Sequence, residues 1–105
     1  QNLSVLLYVQ DELSADRKAW GHRYNAIGLA ALENVAHSLK DQGPFLAGEA
    51  ASIADLCLLP QLYNARRFGV DLAPFARLLE VEAHCQPLPA FAVAHPDRQP
   101  DAVPA

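Results

Sequence analysis

The sequence predicts an all-α fold of four or five helices around a central buried helix that starts at Ser52. Three observations carry this. Apolar residues recur at steps of three and four along most of the chain, the spacing of one helix face. Alternating, β-branched runs bounded by turn residues are missing, so strands are not expected. Helix start and stop residues fall where those stripes begin and end.

The elements follow in order. Leu3 to Tyr8 is short and apolar and reads as the tail of a helix. Ser14 is placed to cap a second helix, with Asp16 in its first turn, where negative charge is favourable. From there Trp20, Tyr24, Ile27, Ala31, Val35 and Leu39 form one apolar stripe, expected to face the core. Lys40 is expected in the last turn, Gly43 in the left-handed cap, and Pro44 as the stop. Ser52-Ile53-Ala54-Asp55 fits a capping box, in which each end residue bonds the other's backbone amide. The helix behind it runs through Ile53, Leu56, Cys57, Leu58, Leu59, Leu62, Tyr63 and Phe68. It is apolar nearly all round, so burial on several sides is expected. Pro60 removes one amide donor and crowds the Leu56 carbonyl, which predicts a bend, and Gly69 ends the helix. Pro74 is placed to open another helix with the stripe Phe75, Leu78, Leu79 and Ala83. A short piece, Leu88 to Ala94, follows. Five of the eight prolines lie at or after Pro87, so residues 95–105 are expected to form an extended tail behind a helical domain of residues 1–94.

Composition bounds the function. The chain has 105 residues, of which 51% are hydrophobic, enough to fill one core and too few for two domains. Its formal charge is −4, and no run of Lys or Arg exceeds two. A nucleic-acid footprint and a polybasic membrane patch both need clustered positive charge, so neither partner is expected. No apolar stretch approaches the roughly 18 residues of a membrane span. Gln1 to Tyr8 does not carry the basic lead and cleavage site of a secretory signal. The chain starts with Gln1 and contains no Met, which marks it as an expected part of a longer protein.

Candidate chemistry is sparse. Cys57 and Cys85 form neither a CxxC nor a disulfide framework, and they read as two reduced thiols. Cys57, among leucines, is expected to be desolvated and inert. The histidines, His22, His37, His84 and His95, are not paired at helical spacing. Glu33 and His37 share a face but do not make the paired motif of a di-iron bundle, so no metal site is expected. No phosphate-binding glycine loop or nucleophile elbow occurs, and no serine has a His at motif spacing. Asp55 has the placement of a general base, but capping accounts for it. Arg66 and Arg67 close the central helix, where cations complement the dipole; an anion clamp is the functional alternative. Trp20 and Tyr24 read as core aromatics whose polar atoms want partners.

The run Ala54-Asp55-Leu56-Cys57-Leu58-Leu59-Pro60-Gln61, followed by Asn64-Ala65-Arg66-Arg67-Phe68-Gly69-Val70-Asp71-Leu72, resembles the C-terminal domain of a zeta-class glutathione transferase. Gln1-Asn2-Leu3-Ser4-Val5-Leu6 and His95-Pro96-Asp97-Arg98-Gln99-Pro100-Asp101 agree, so the resemblance covers nearly all of the chain. It implies a glutathione transferase C-terminal helical bundle, glutathione as cofactor, and a thioredoxin-like N-terminal domain with a Ser-Ser-Cys motif. It also implies a cytoplasmic homodimer in aromatic amino acid catabolism. The reaction implied is the cis-to-trans isomerisation of maleylacetoacetate to fumarylacetoacetate, with maleylpyruvate a near substrate. By resemblance Asn2, Leu3 and Ser4 line the glutathione side of the cleft, and Arg67 faces the acidic substrate, for which a planar guanidinium suits. Arg66 is left as a surface charge; Ser52, Asp55 and Pro60 stay structural. This sequence carries neither a βαβ pattern nor Ser-Ser-Cys, so the chain alone is expected to be inactive. A non-catalytic helical interaction module and a general glutathione transferase remain as alternatives.

Overall fold

Ser52 opens the central helix as a capping box. Its backbone sits extended, its hydroxyl accepts the Ala54 amide, and the Asp55 carboxylate accepts the Ser52 amide at 2.8 Å. In this computed structural model, which describes residues 3–103, that helix is the third of five α-helices: α1 Leu3–Asp11, α2 Arg17–Ser38, α3 Ile53–Arg67, α4 Ala76–Cys85 and α5 Pro89–Ala94. No strand occurs among the described residues; Phe45 and Gly48 make one isolated bridge. Short 3-10 turns lie at Lys40–Gln42 and Pro96–Arg98.

Helices α2, α3 and α4 pack on one another, with α1 laid against α2. The core between them is Leu29, Ala36, Leu58, Leu62, Phe75, Leu78, Val81 and Cys85. Leu58, Leu62 and Leu78 are fully buried, each contributing about 1.5–3 kcal/mol relative to an exposed side chain. Helix α3 stays helical on both sides of Pro60. It closes in a left-handed motif. Gly69 takes φ 71°, its amide bonds the Arg66 carbonyl, and the Val70 amide reaches back to Ala65.

Several expected details differ. Asp16, not Ser14, caps α2: its carboxylate accepts the Lys18 and Ala19 amides at 2.8 and 3.1 Å. Ser14 instead carries the α1–α2 connection at φ 49°. The stripe expected to face the core faces outward. Tyr24, Ile27 and Val35 are about half exposed, whereas Gly21, Leu29 and Ala36 are buried. The buried line is inconspicuous because close packing there uses small residues. The Phe68 ring lies on Gly21, where an added Cβ would sit 2.3 Å from it. Gly43 is not a left-handed helix cap. It takes φ 146°, a glycine conformation, and passes so close to Gly48 that no Cβ fits. Pro74 precedes α4 rather than opening it, and on α4 Val81 and Cys85 are buried where Ala83 is exposed. Helix α3 is buried on one side only: Ile53, Leu56, Cys57 and Pro60 are exposed. The expected desolvation of Cys57 is not found. Cys57 is exposed, while burial pushes the Cys85 thiol up to about 11, so it stays protonated near neutrality.

Helix α4 has no capping side chain of its own. Glu33, from the middle of α2, supplies the cap: its two oxygens accept the Arg77 and Leu78 amides at 2.9 and 3.0 Å. This satisfies amides left orphaned at the helix start and sets negative charge against the positive end of the dipole. Glu33→Ala is expected to lower stability by about 1–2 kcal/mol in urea denaturation, with Glu33→Gln between that and the parent. Ser52→Ala is expected to cost about 1 kcal/mol through its own lost cap. It should leave ligand affinity of the folded protein unchanged; a fall in affinity measured well below the melting transition would contradict a purely structural role.

Candidate functional site

The exposed face of α3 repeats every three or four residues: Ile53, Leu56, Pro60, Tyr63, Arg67. Its first part is bare apolar surface, with Ile53 at 77% and Leu56 at 57% exposure. Its last residue is a cation in the final helical turn. Among the described residues Arg67 makes no hydrogen bond or ion pair. A free guanidinium at the end of an apolar strip suits the carboxylate of an otherwise hydrophobic or extended ligand.

Arg66 behaves differently from its neighbour. Its two terminal nitrogens grip both oxygens of Glu82, Nη1 to Oε1 at 2.7 Å and Nη2 to Oε2 at 2.6 Å. The Glu82 hydrogen bond holds the guanidinium above its ordinary pKa. Glu82 is itself buried on α4. The residue expected to be a plain surface charge is therefore clamped to the neighbouring helix. Sixteen residues separate the pair, a distance at which local spacing gives no signal.

Two hollows flank this helix. One, of about 440 Å³, lies between α1, α2 and α3 and is lined by Val5, Leu6, Trp20, Asn25, Gln61 and Phe68, among others. The Trp20 and Tyr24 rings stand 4.7 Å apart at its edge, tilted by 47°. Asn25 is held by the Gly21 carbonyl and accepts from Asn64, and His22 Nδ1 lies 3.1 Å from the Phe68 carbonyl, so α2 anchors the end of α3. The residues assigned by resemblance meet here only indirectly. Leu3 and Ser4, in the first turn of α1 and exposed, precede the lining residue Val5; Arg67 precedes the lining residue Phe68. Asn2 lies outside the described residues.

The other hollow, about 610 Å³, lies between α3, α4, α5 and the turn at Pro96–Arg98. Leu59, Pro60 and Phe91 are part of its apolar lining, and Tyr63, Arg66, Glu82, Asp97 and Arg98 part of its polar one. Tyr63 donates its hydroxyl to Asp97 Oδ1 at 2.9 Å. That hydrogen bond holds the phenol above its ordinary pKa, while the Arg67 charge pulls the other way. His95 packs edge-on to Tyr63, 5.8 Å between centroids, and accepts the Asp97 amide. The residues after α5 are thus stitched to α3. Composition marks this segment as proline-rich tail, and only the His95-to-Asp101 resemblance hints that it touches anything. Ser52 and Asp55 lie at the opposite end of α3 from Arg67, in the capping box. No group of three or more His, Cys, Asp or Glu side chains able to hold a metal occurs among the described residues. No helix among the described residues is long and apolar enough to cross a membrane.

A bundle of five α-helices among the described residues, with a capped central helix, has the helical fold of solved zeta-class glutathione transferases. No protein-family model matches the sequence. The chain is 40% identical to maleylacetoacetate isomerase of Mus musculus over 101 residues, covering 96% of this chain and 44% of that protein. It superposes on the crystal structure of maleylacetoacetate isomerase from Anaeromyxobacter dehalogenans 2CP-1 with a TM-score of 0.88 at 45% identity. That match covers 98% of this chain and 46% of the other, which holds dicarboxyethyl glutathione and citrate in its active site. Maleylpyruvate isomerase from Pseudomonas aeruginosa PAO1 gives 0.88 at 47% identity over 97% of this chain and 55% of that one. The chain belongs to the zeta-class, maleylacetoacetate isomerase family, and corresponds to its C-terminal part. It spans about half the length of the relatives it matches.

Proposed function

We propose that this chain is the helical half of a glutathione-dependent cis–trans isomerase that converts maleylacetoacetate to fumarylacetoacetate. The observation that carries this is the unpaired Arg67 guanidinium at the end of α3's open face. A relative of 45% identity, folded alike, holds a dicarboxylate-bearing glutathione conjugate and citrate in its active site. When bound, glutathione supplies a thiolate that adds to the double bond and leaves again, freeing rotation in between. The chain's own residues position the substrate. Arg67 holds a carboxylate by charge-assisted hydrogen bonds, which fixes the alkene relative to the thiol and limits competing poses. Leu3 and Ser4 border the glutathione side.

A thioredoxin-like N-terminal domain carrying the Ser-Ser-Cys motif completes the cleft. Exposed Ile53, Leu56 and Pro60 offer it an apolar seat. The outward face of α2, with Trp20, Tyr24, Ile27 and Val35, is available to a second copy and supports a homodimer. The setting is cytoplasmic aromatic amino acid breakdown. Maleylpyruvate is the second candidate substrate, favoured by 47% identity to a maleylpyruvate isomerase.

Calorimetric titration of the full-length protein with dicarboxyethyl glutathione tests the reading. Saturable binding, competitive with glutathione and weakened in Arg67→Ala, is expected. An Arg67→Ala protein that binds as tightly as the parent would remove Arg67 from the substrate site.

A further inference from the structure

The side chain of Arg67 has no partner among the described residues, yet its neighbours in the chain are held by other helices. Arg66, before it, grips Glu82 of α4. Phe68, after it, is the C-cap of α3 and is tied to α2. His22 Nδ1 lies 3.1 Å from the Phe68 carbonyl, across 46 residues of sequence. A carbonyl only accepts, so Nδ1 carries a proton and donates it. The Phe68 ring lies over Gly21, where an added Cβ would sit 2.3 Å from it. One turn back, Asn64 donates to Asn25 at 3.4 Å, so His22 makes the shorter of these two polar ties between α2 and the end of α3. The last carbonyls of a helix have no partner within it, and a last turn without outside contacts frays.

We propose that His22 is a positioning residue for Arg67: by holding the Phe68 carbonyl against α2 it fixes the last turn of α3, from which the Arg67 side chain springs. The inference rests on the assignment of Arg67 to the substrate carboxylate. The physical reason is entropic. A guanidinium with nothing at its tip keeps the freedom of its own rotors, and a fraying backbone adds to that freedom. Every motion that a ligand has to arrest weakens its binding. The tie to α2 arrests the backbone before the ligand arrives, and a bidentate grip on a carboxylate demands a fixed origin more than a point charge does. His22 acts through Phe68 and not on the ligand. Its loss therefore lowers affinity for the group that Arg67 holds and leaves the rest of the ligand's contacts unchanged.

The test uses the full-length protein and two calorimetric probes, dicarboxyethyl glutathione and glutathione itself, which does not carry the added carboxylates. His22 is exposed within α2, where alanine is a good helix former, so His22→Ala is expected to fold. It is expected to weaken dicarboxyethyl glutathione about three- to tenfold and glutathione less than about twofold. His22→Asn, whose amide NH2 reaches the place of Nδ1, is expected to restore most of the loss. In an Arg67→Ala background His22→Ala is expected to add less than about twofold, since the two act as one unit. A merely structural His22 would lower the melting temperature while weakening both ligands equally or neither, and that result overturns the proposal. So does a His22→Ala loss that persists in full without Arg67. Arg67→Ala alone separates this inference from the reading beneath it. If it leaves the ratio of the two affinities unchanged, the carboxylate assignment fails and the role of His22 with it. If it shifts the ratio and His22→Ala does not, only the role of His22 fails.

Discussion

Asp55→Ala is expected to remove about 3–5 kcal/mol of stability, a large share of what a domain of this size has. The carboxylate is fully buried and accepts three hydrogen bonds: the Leu46 amide at 3.0 Å, the Ser52 amide at 2.8 Å and the Ser52 hydroxyl at 3.2 Å. It is both half of the capping box and the tie that holds the 43–48 loop against the start of α3. Alanine leaves two backbone amides without acceptors and opens a small void. Asn is expected to cost about half as much, since one amide oxygen still serves Leu46 while the NH2 group faces a donor. Urea denaturation followed by circular dichroism reads both. A loss below about 1 kcal/mol for alanine would mean that water replaces the carboxylate at little cost, contrary to its burial.

Arg67→Ala, in the full-length enzyme, is expected to raise KM for the dicarboxylate substrate about 10- to 100-fold. That corresponds to losing about 1.5–3 kcal/mol of charge-assisted hydrogen bonding. Stability should change little, because Arg67 is exposed and has no partner among the described residues to leave behind. A neutral conjugation substrate should keep its KM within about twofold. Lysine should restore part of the affinity through charge but not the two-pronged geometry. Equal effects on charged and neutral substrates would assign Arg67 to general architecture instead. Asp55 and Arg67 are expected to differ in kind: the buried carboxylate through stability, the exposed guanidinium through substrate affinity.

What could be read in the sequence was local. The capping box at Ser52 and Asp55, the Gly69 terminus and the spacing of α3 depend on contacts within a few residues, and the structure reproduces them. The face of α2 could not be read that way. Trp20, Tyr24, Ile27 and Val35 make the stronger apolar stripe, but they lie outward, while the core line runs through Gly21, Leu29 and Ala36. Hydropathy ranks side chains by size and apolarity, and a close helix crossing needs small ones. A large outward stripe is a surface that another chain can cover. Glu33 and Glu82 were illegible for another reason. Each bonds a residue at least 16 positions away, one to the α4 amides and one to Arg66, so no local pattern marks them. Arg67 could not be separated from Arg66 by position on the helix alone. The family resemblance singles it out, and the clamp on its neighbour supplies a physical difference between the two.

As the proposed substrate-holding half of a glutathione-dependent isomerase, this chain is best tested within its full-length protein. The most direct test is the proton NMR time course of maleylacetoacetate with the full-length protein, with and without glutathione. Conversion to fumarylacetoacetate that requires glutathione and is slowed at subsaturating substrate by Arg67→Ala is expected. Conversion that proceeds equally without glutathione, or a folded full-length protein that binds glutathione yet isomerises neither maleylacetoacetate nor maleylpyruvate, would contradict it.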